Sequence, residues 1–220
     1  MRNGTNAVGA VVFSLLMVSS MIVGGVAVSA GEVAGASQEI TTASELQAMN
    51  EDLAGEYVLG DNIDASTISN FQPVGNSSDP FTGSFDGDGN TISGLHINET
   101  TQEEAGLFGN ATGVTIERVT LDDVNVSDGS NASGLVGYAT DITITDVTVN
   151  GNVTGGGNEM DLGGAGLVAG YTVNATITNA TANGNVLNEG ITGGIVGYLI
   201  DGTVENASMN ENPRGIATYE

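Results

Sequence analysis

A four-residue phrase recurs four times along this chain: Gly106-Leu107-Phe108-Gly109, Gly134-Leu135-Val136-Gly137, Gly166-Leu167-Val168-Ala169 and Gly194-Ile195-Val196-Gly197. The copies start 28, 32 and 28 residues apart, and the residues after each copy also repeat. Ile116, Ile144 and Val204 stand ten residues after their opening glycine. Ile177 stands eleven after its own, because Ala169 is inserted before Gly170-Tyr171. Next come Val119, Val147, Ala180 and Ala207, then Leu121, Val149, Ala182 and Met209, with Thr or Ser between. Self-similarity at a fixed period of this length restricts the chain to repeat architectures.

Each repeat holds about three short runs with strand chemistry, separated by Gly, Asn or Asp. In the second copy, Ile142 to Val149 alternates with Thr143, Thr145 and Thr148, a period-two pattern of β-branched residues. Strands this short cannot bury a face alone, so each repeat must stack on its neighbours. If one repeat is one turn, corresponding residues pile up about 4.8 Å apart. Leu107, Leu135, Leu167 and Ile195 then form one internal ladder, and Ile116, Ile144, Ile177 and Val204 another. The glycines are expected at corners, where φ is positive or backbones touch. The simplest object that meets these conditions is all-β: a right-handed, single-stranded parallel β-helix, or β-solenoid. A propeller needs four-stranded blades with an aromatic signature, and the chain has no Trp.

From Gly106 to about Met209 the chain resembles an array of GLUG motifs, named for a Gly-Leu-any-Gly core and found in secreted and surface-bound bacterial and archaeal proteins. Ile195 for Leu and the extra Ala169 depart from the pattern, the latter read as a local bulge. The resemblance implies a β-helical stalk or adhesive surface module. Some relatives also carry an immunoglobulin-cleaving zinc peptidase, whose chemistry requires a His-Glu-x-x-His helix. The sole histidine here is His96, so the resemblance does not extend to that activity. Ahead of the repeats, the run from Phe81 to Ile92 (Phe-x-Gly-x-Phe-Asp-Gly-x-Gly-x-Thr-Ile) is similar to the opening coil of GLUG-bearing and pectate-lyase-like β-helices.

Five segments are expected. Residues 1–36 read as a signal peptide: Arg2, an uncharged apolar run from Ala7 to Ala30, then Val28-Ser29-Ala30 and Ala34-Gly35-Ala36 as cleavage options. The run is also long enough to remain as a membrane anchor. Residues 37–55 read as a capping helix, with a capping-box spacing from Thr42 to Glu45, an apolar face of Leu46, Met49 and Leu53, and Gly55 as its stop. Residues 56–105 are lead-in coils, 106–209 the repeats, and 210–220 a tail in which Pro213 opposes further pairing. With no cysteine, neither a disulfide framework nor a lipoprotein anchor is available.

Acids number 27 against three arginines and no lysine, for a net charge of −24. Self-repulsion of this size destabilises a compact state at low ionic strength, and about 1 M salt, with a Debye length near 3 Å, removes most of it. The balance resembles that of exported proteins from salt-loving archaea. It excludes nucleic acid as a partner, because no basic patch exists to neutralise phosphates.

Residues that could carry chemistry are few. Asp86, Asp88 and Asn90 copy the first three ligand spacings of a calcium loop, but Thr91 and Ile97 stand where its glycine and bidentate Glu belong. Asp122 and Asp123, with Asp128 beyond them and Arg118 as the nearest base, are candidates for an acidic catalytic face. Adjacent strand residues point to opposite faces, which argues against that pair acting together. His96, between Leu95 and Ile97, is expected to face outward. Asn-x-Ser/Thr triplets at Asn76, Asn98, Asn110, Asn125, Asn131, Asn152, Asn174, Asn179 and Asn206 are candidate N-glycan acceptors. No cofactor is implied. The expectation is therefore an exported, non-enzymatic module, structural or adhesive, meeting a cell-envelope component, a glycan or another surface protein. The alternative is a β-helix that binds or degrades polysaccharide on an acidic outer face.

Overall fold

In a computed structural model the described residues are 37–98, 103–127, 129–156 and 163–210, all within one compact unit, Gly35–Glu220. The expected signal peptide (1–36) lies outside them, as do Asp128 and all but the first residue of the tail. The described residues form an all-β structure with one short α-helix, and every strand pairing is parallel.

Within the repeats, strands pair across one repeat length and not with their neighbours in sequence. Ile116 pairs with Ile144, Ile144 with Ile177 and Ile177 with Val204, so the isoleucine column read from the sequence is a hydrogen-bonded register. The strands Phe108–Thr112, Val136–Thr140, Ala169–Val173 and Val196–Ile200 make a second sheet. Glu104–Ala105, Asn131–Ala132, Gly164–Ala165 and Ile191–Thr192 make a third. Leu107, Leu135 and Leu167 are fully buried in the core that these sheets share, and Ile195 packs against it. In the isoleucine column β-branched residues fit because each buried side chain meets a similar one a strand away.

The extra residue of the third copy is absorbed as a β-bulge. Val136 pairs with Ala169 and Tyr138 with Tyr171, so the supernumerary residue by register is Val168, where the sequence pointed to Ala169. The N–H groups of Val168 and Ala169 both donate to the Ile195 carbonyl at 3.0 Å, two residues opposing one as a bulge requires.

The phrase glycines serve close approach, not a left-handed backbone. A Cβ on Gly137 would stand 2.8 Å from the Ala105 nitrogen and 2.9 Å from the Asn131 and Gly109 oxygens. Positive φ falls instead on glycines outside the phrase and on residues with side chains: Gly113, Asp141, Asn174 and Asp201 in one column, and Arg118, Asp146, Asn179 and Asn206 in another. Asn and Asp tolerate this region better than other L-residues.

At the N-terminal end the helix is shorter than expected. It spans Ala43–Ala48 and tightens into a 3-10 turn, Met49–Glu51, so it stops before Gly55. The capping box forms: the Glu45 N–H donates to Thr42 Oγ1 at 3.2 Å, and Glu45 Oε2 accepts from the Thr42 N–H at 3.1 Å. Ahead of it, Gln38–Ile40 is a strand paired with Glu56–Leu59, a feature the sequence did not lead us to expect. Leu46 and Met49 are fully buried, and Leu53 packs at the margin of the core.

One core column is imperfect. Ala111, Ala139, Thr172 and Leu199 lie in register, and the Thr172 hydroxyl is fully buried without a partner. A buried unsatisfied hydroxyl costs about 1–3 kcal/mol. Thr172→Val keeps the branched shape and removes that group, so it is expected to stabilise the fold by about 1–2 kcal/mol. Urea unfolding midpoints in molar salt check this.

Candidate functional site

The outer surface is built from columns of side chains that touch their equivalents one repeat away. Amides form the longest. Asn150 Nδ2 donates to Asp122 Oδ1 at 3.0 Å, Asn183 to Asn150 Oδ1 at 2.6 Å, and Asn210 to Asn183 Oδ1 at 2.9 Å. Asn185 donates to Asn152 at 2.9 Å, and the Thr145 and Thr178 hydroxyls share a 3.0 Å bond. At the corners Asn174 donates to Asp141 at 2.5 Å and Asn179 to Asp146 at 2.8 Å. On the second sheet Tyr138, Tyr171 and Tyr198 stack with ring centroids 5.3 and 5.0 Å apart. Burial and the flanking phenols push the Tyr171 hydroxyl above its usual pKa. Sequence reasoning missed this stack, although its signal was present as Gly137-Tyr138, Gly170-Tyr171 and Gly197-Tyr198.

Charge is unevenly spread over these faces. The strands Thr143–Thr154 and Thr176–Leu187 hold 24 residues and one acid, Asp146, whose carboxylate accepts from Asn179. In a chain with 27 acids this leaves a broad neutral strip of Thr and Asn.

The calcium-like triplet does not assemble as three converging oxygens. Asp86 Oδ1 accepts from the Asp88 N–H at 2.9 Å, and the Asn90 amide turns away to donate to the Leu59 carbonyl at 2.9 Å. The cation that Asp86 and Asp88 meet is Arg118, whose Nη1 lies 2.9 Å from Asp88 Oδ1 and whose Nη2 contacts Asp86 Oδ2. Hydrogen bonding to Asp86, then its charge, raises the Arg118 pKa. Among the described residues no group of three or more His, Cys, Asp or Glu is placed to hold a metal ion.

The same contacts take Arg118 away from Asp122 and Asp123, so the three catalytic candidates are not brought together. The two aspartates differ from expectation in another way. Asp123 has φ of +52° and is one residue more than its partner strand holds, so both Asp122 and Asp123 are exposed on the outside. Alternation fails there because a left-handed residue breaks the pleat. His96 is half-buried between Leu95 and Ile97, and its strand partner is Asn125.

The glycan candidates divide by environment. Asn98, Asn125, Asn152, Asn174, Asn179 and Asn206 are exposed. Asn76 and Asn131 are half-buried and use their side-chain oxygens to hold backbone N–H groups. Asn110 is only 7% exposed, and its amide bonds the Glu104 carboxyl, so it is not open to a glycan in the folded chain.

Glu104 is a buried acid that sequence reasoning passed over. Burial, reinforced by Glu103, raises its pKa, while the Asn110 amide offsets part of the shift. A carboxyl raised in the folded state favours folding below its unfolded pKa and penalises it once pH exceeds the folded value. Glu104→Gln is therefore expected to melt above wild type at pH 7–8, with the gap closing toward pH ~4. The gap is roughly 2–4 °C, as about 1 kcal/mol gives in a chain of this size. Paired calorimetric melts across pH check it.

Residues 40–151 match the family described as the M26 IgA1-specific Metallo-endopeptidase N-terminal region. Over 132 residues, 53% of this chain, it is 39% identical to halomucin of Haloquadratum walsbyi (strain DSM 16790 / HBSQ001), and the match takes up 1% of that protein. A solved structure of a Bacteroides ovatus protein, described as a candidate immunoglobulin A1 protease, superposes with a TM-score of 0.40 at 15% identity. That alignment covers 84% of this chain and 80% of the other, a likeness too slight to bear on the fold. Since the family match takes in just over half its length, the chain belongs to the M26 IgA1-specific metallo-endopeptidase N-terminal region family.

Proposed function

We propose that this chain is an exported, surface-associated repeat module, non-enzymatic, whose stacked strands wind as a right-handed parallel β-helix. The observation that carries the reading is the register. Three parallel sheets each advance by one repeat, and many like side chains, Ile144 over Ile177, Asn150 over Asn183 and Tyr138 over Tyr171 among them, stand over one another. A scaffold of this kind presents the same chemical group at each step along its length. Here the groups are hydroxyls, amides and phenols, suited to a glycan, a cell-envelope component or a surface protein. Export rests on the apolar leader at residues 1–36 and on kinship with halomucin. The GLUG resemblance of residues 106–209 supports the same reading. The exposed Asn-x-Ser/Thr sites are proposed as glycan acceptors, Asn125 and Asn206 foremost, because both are exposed and neither side chain bonds another of the described residues.

Fractionating the producing cells at native salt tests the reading. Recovery of the mature chain on the envelope or in the medium supports it, and recovery from the cytoplasm as uncleaved chain rejects it. A second reading, polysaccharide binding or cleavage, gains from the outward placement of both Asp122 and Asp123. It requires that polysaccharide incubated with the chain in high salt be shortened, and that Asp122→Ala or Asp123→Ala stop this.

A further inference from the structure

The longest amide column carries a chemical liability. Asn150-Gly151 and Asn183-Gly184 are the Asn-Gly pairs among the described residues. They lie in register, Asn150 over Asn183 and Gly151 over Gly184. A glycine after asparagine has no Cβ to shield its nitrogen, so that nitrogen can attack the asparagine side chain. Packing demands both halves of the pair. A Cβ on Gly151 would run into the Val124 carbonyl oxygen, and one on Gly184 into the Gly151 carbonyl oxygen. The asparagines before them build the column: Asn150 Nδ2 donates to Asp122 Oδ1 at 3.0 Å, and Asn150 Oδ1 accepts from Asn183 Nδ2 at 2.6 Å. Asn183 Oδ1 accepts from Asn210 Nδ2 at 2.9 Å. The same contacts restrain the reaction. Both asparagines are half-buried strand residues whose side chains are tied to neighbouring repeats. Cyclisation requires those bonds to be released and the backbone to leave its ladder, so that Cγ can swing onto the next nitrogen.

We propose that Asn150 and Asn183 are deamidation sites that the folded chain holds shut and that loss of salt opens. In the opened chain the Gly151 nitrogen gives its proton to water and attacks Asn150 Cγ. The N–Cγ bond forms, the Cγ–Nδ2 bond breaks, and Nδ2 leaves as ammonia with a proton returned by water. Water then adds to either carbonyl of the five-membered succinimide, which opens to aspartate or isoaspartate at position 150. The same steps run at position 183, and none of them needs an oxidant or a reductant. Both products oppose refolding. A carboxylate at position 150 stands beside Asp122, and like charges facing each other across neighbouring strands destabilise the pair. Isoaspartate also adds a methylene to the main chain, which sets the rest of that strand out of step with its neighbours on both sides. Charge governs the opening. With a net charge of −24 the chain repels itself at low ionic strength, and about 1 M salt, with a Debye length near 3 Å, suppresses this. A chain that has spent time out of salt is therefore changed covalently and does not recover when salt returns.

The test holds the full chain in mildly alkaline buffer with about 0.1 M or about 3 M NaCl, beside a synthetic peptide of residues 148–154 that gives the unrestrained rate in each buffer. Peptide mapping by mass spectrometry follows the amide-to-acid mass gain at each asparagine. Far-UV spectra after return to high salt follow refolding. Relative to the peptide, Asn150 and Asn183 are expected to deamidate at least about tenfold faster in low salt than in high, the change that about 1.4 kcal/mol of opening free energy gives. Asn152 and Asn185, each followed by valine, are expected to stay intact in both. Chains deamidated in low salt are expected not to regain the starting spectrum. Asn150→Asp places the product in an unreacted chain and is expected to melt below wild type, with a gap that narrows as salt rises. Deamidation in high salt as fast as in the peptide overturns the proposal, because the fold then gives no protection. Equal rates in low and high salt also overturn it, as does an Asn150→Asp chain that melts with wild type in low salt.

Discussion

Gly151→Ala is expected to lower the melting temperature by roughly 5–20 °C even in molar salt. Gly151 has φ of +155°, and a Cβ added there would stand 2.2 Å from the Val124 oxygen and 2.7 Å from its nitrogen. Those atoms are backbone of the neighbouring repeat, so no side chain can swing aside. Backbone strain of about 1–3 kcal/mol adds to overpacking of about 1–3 kcal/mol, against a total stability of about 5–15 kcal/mol. Gly113→Asn is the control. Its φ is +69° and a Cβ would meet nothing within 4 Å. Its column already holds Asp141, Asn174 and Asp201 at φ of 55°, 53° and 48°, so the change should cost less than about 1 kcal/mol. Thermal melts of the two variants in the same buffer decide whether backbone contact, and not glycine content, governs the fold.

Phe108→Ala is expected to cost about 3–5 kcal/mol, lowering the urea midpoint steeply without changing the spectrum of what remains folded. Phe108 is fully buried where the lead-in residues join the repeats. Its ring centroid is 4.9 Å from that of Phe81 and 5.4 Å from that of Phe85, the latter edge-on. The equivalent places in later repeats hold Val136, Ala169 and Val196. The large ring thus fills volume that no neighbouring copy can supply, and its loss leaves a cavity ringed by aromatic groups. A loss of less than about 1 kcal/mol would mean that the lead-in collapses onto the gap and that the junction is softer than its burial indicates.

The period was legible in the sequence because burial is dictated residue by residue: Ile116, Ile144 and Ile177 sit at one phase of the repeat and are all fully buried. Partnerships were not. Arg118 finds Asp86 and Asp88 about one repeat back, and Glu104 is buried although it follows another acid, Glu103, and its partner Asn110 lies six residues on, beyond the apolar phrase. The failure at Asp122 and Asp123 has a definite cause. A left-handed residue resets the pleat, and in a chain this rich in Asn and Asp the sequence does not mark which of them will adopt it. The strand Gln38–Ile40 escaped notice because three residues are too few to display a period. The helix ran short for a related reason: apolar spacing continued through Met49 and Leu53, but the backbone had already tightened into a 3-10 turn.

The bulge at Val168 and Ala169 has a further consequence. One surplus residue is swallowed within a single strand, and Tyr138, Tyr171 and Tyr198 still stand in line on either side of it. A miscount in one copy is healed where it occurs and is not handed on to the next. Such a molecule can gain or shed whole units by duplication and deletion, and can carry small slips inside them, without redesign of the rest.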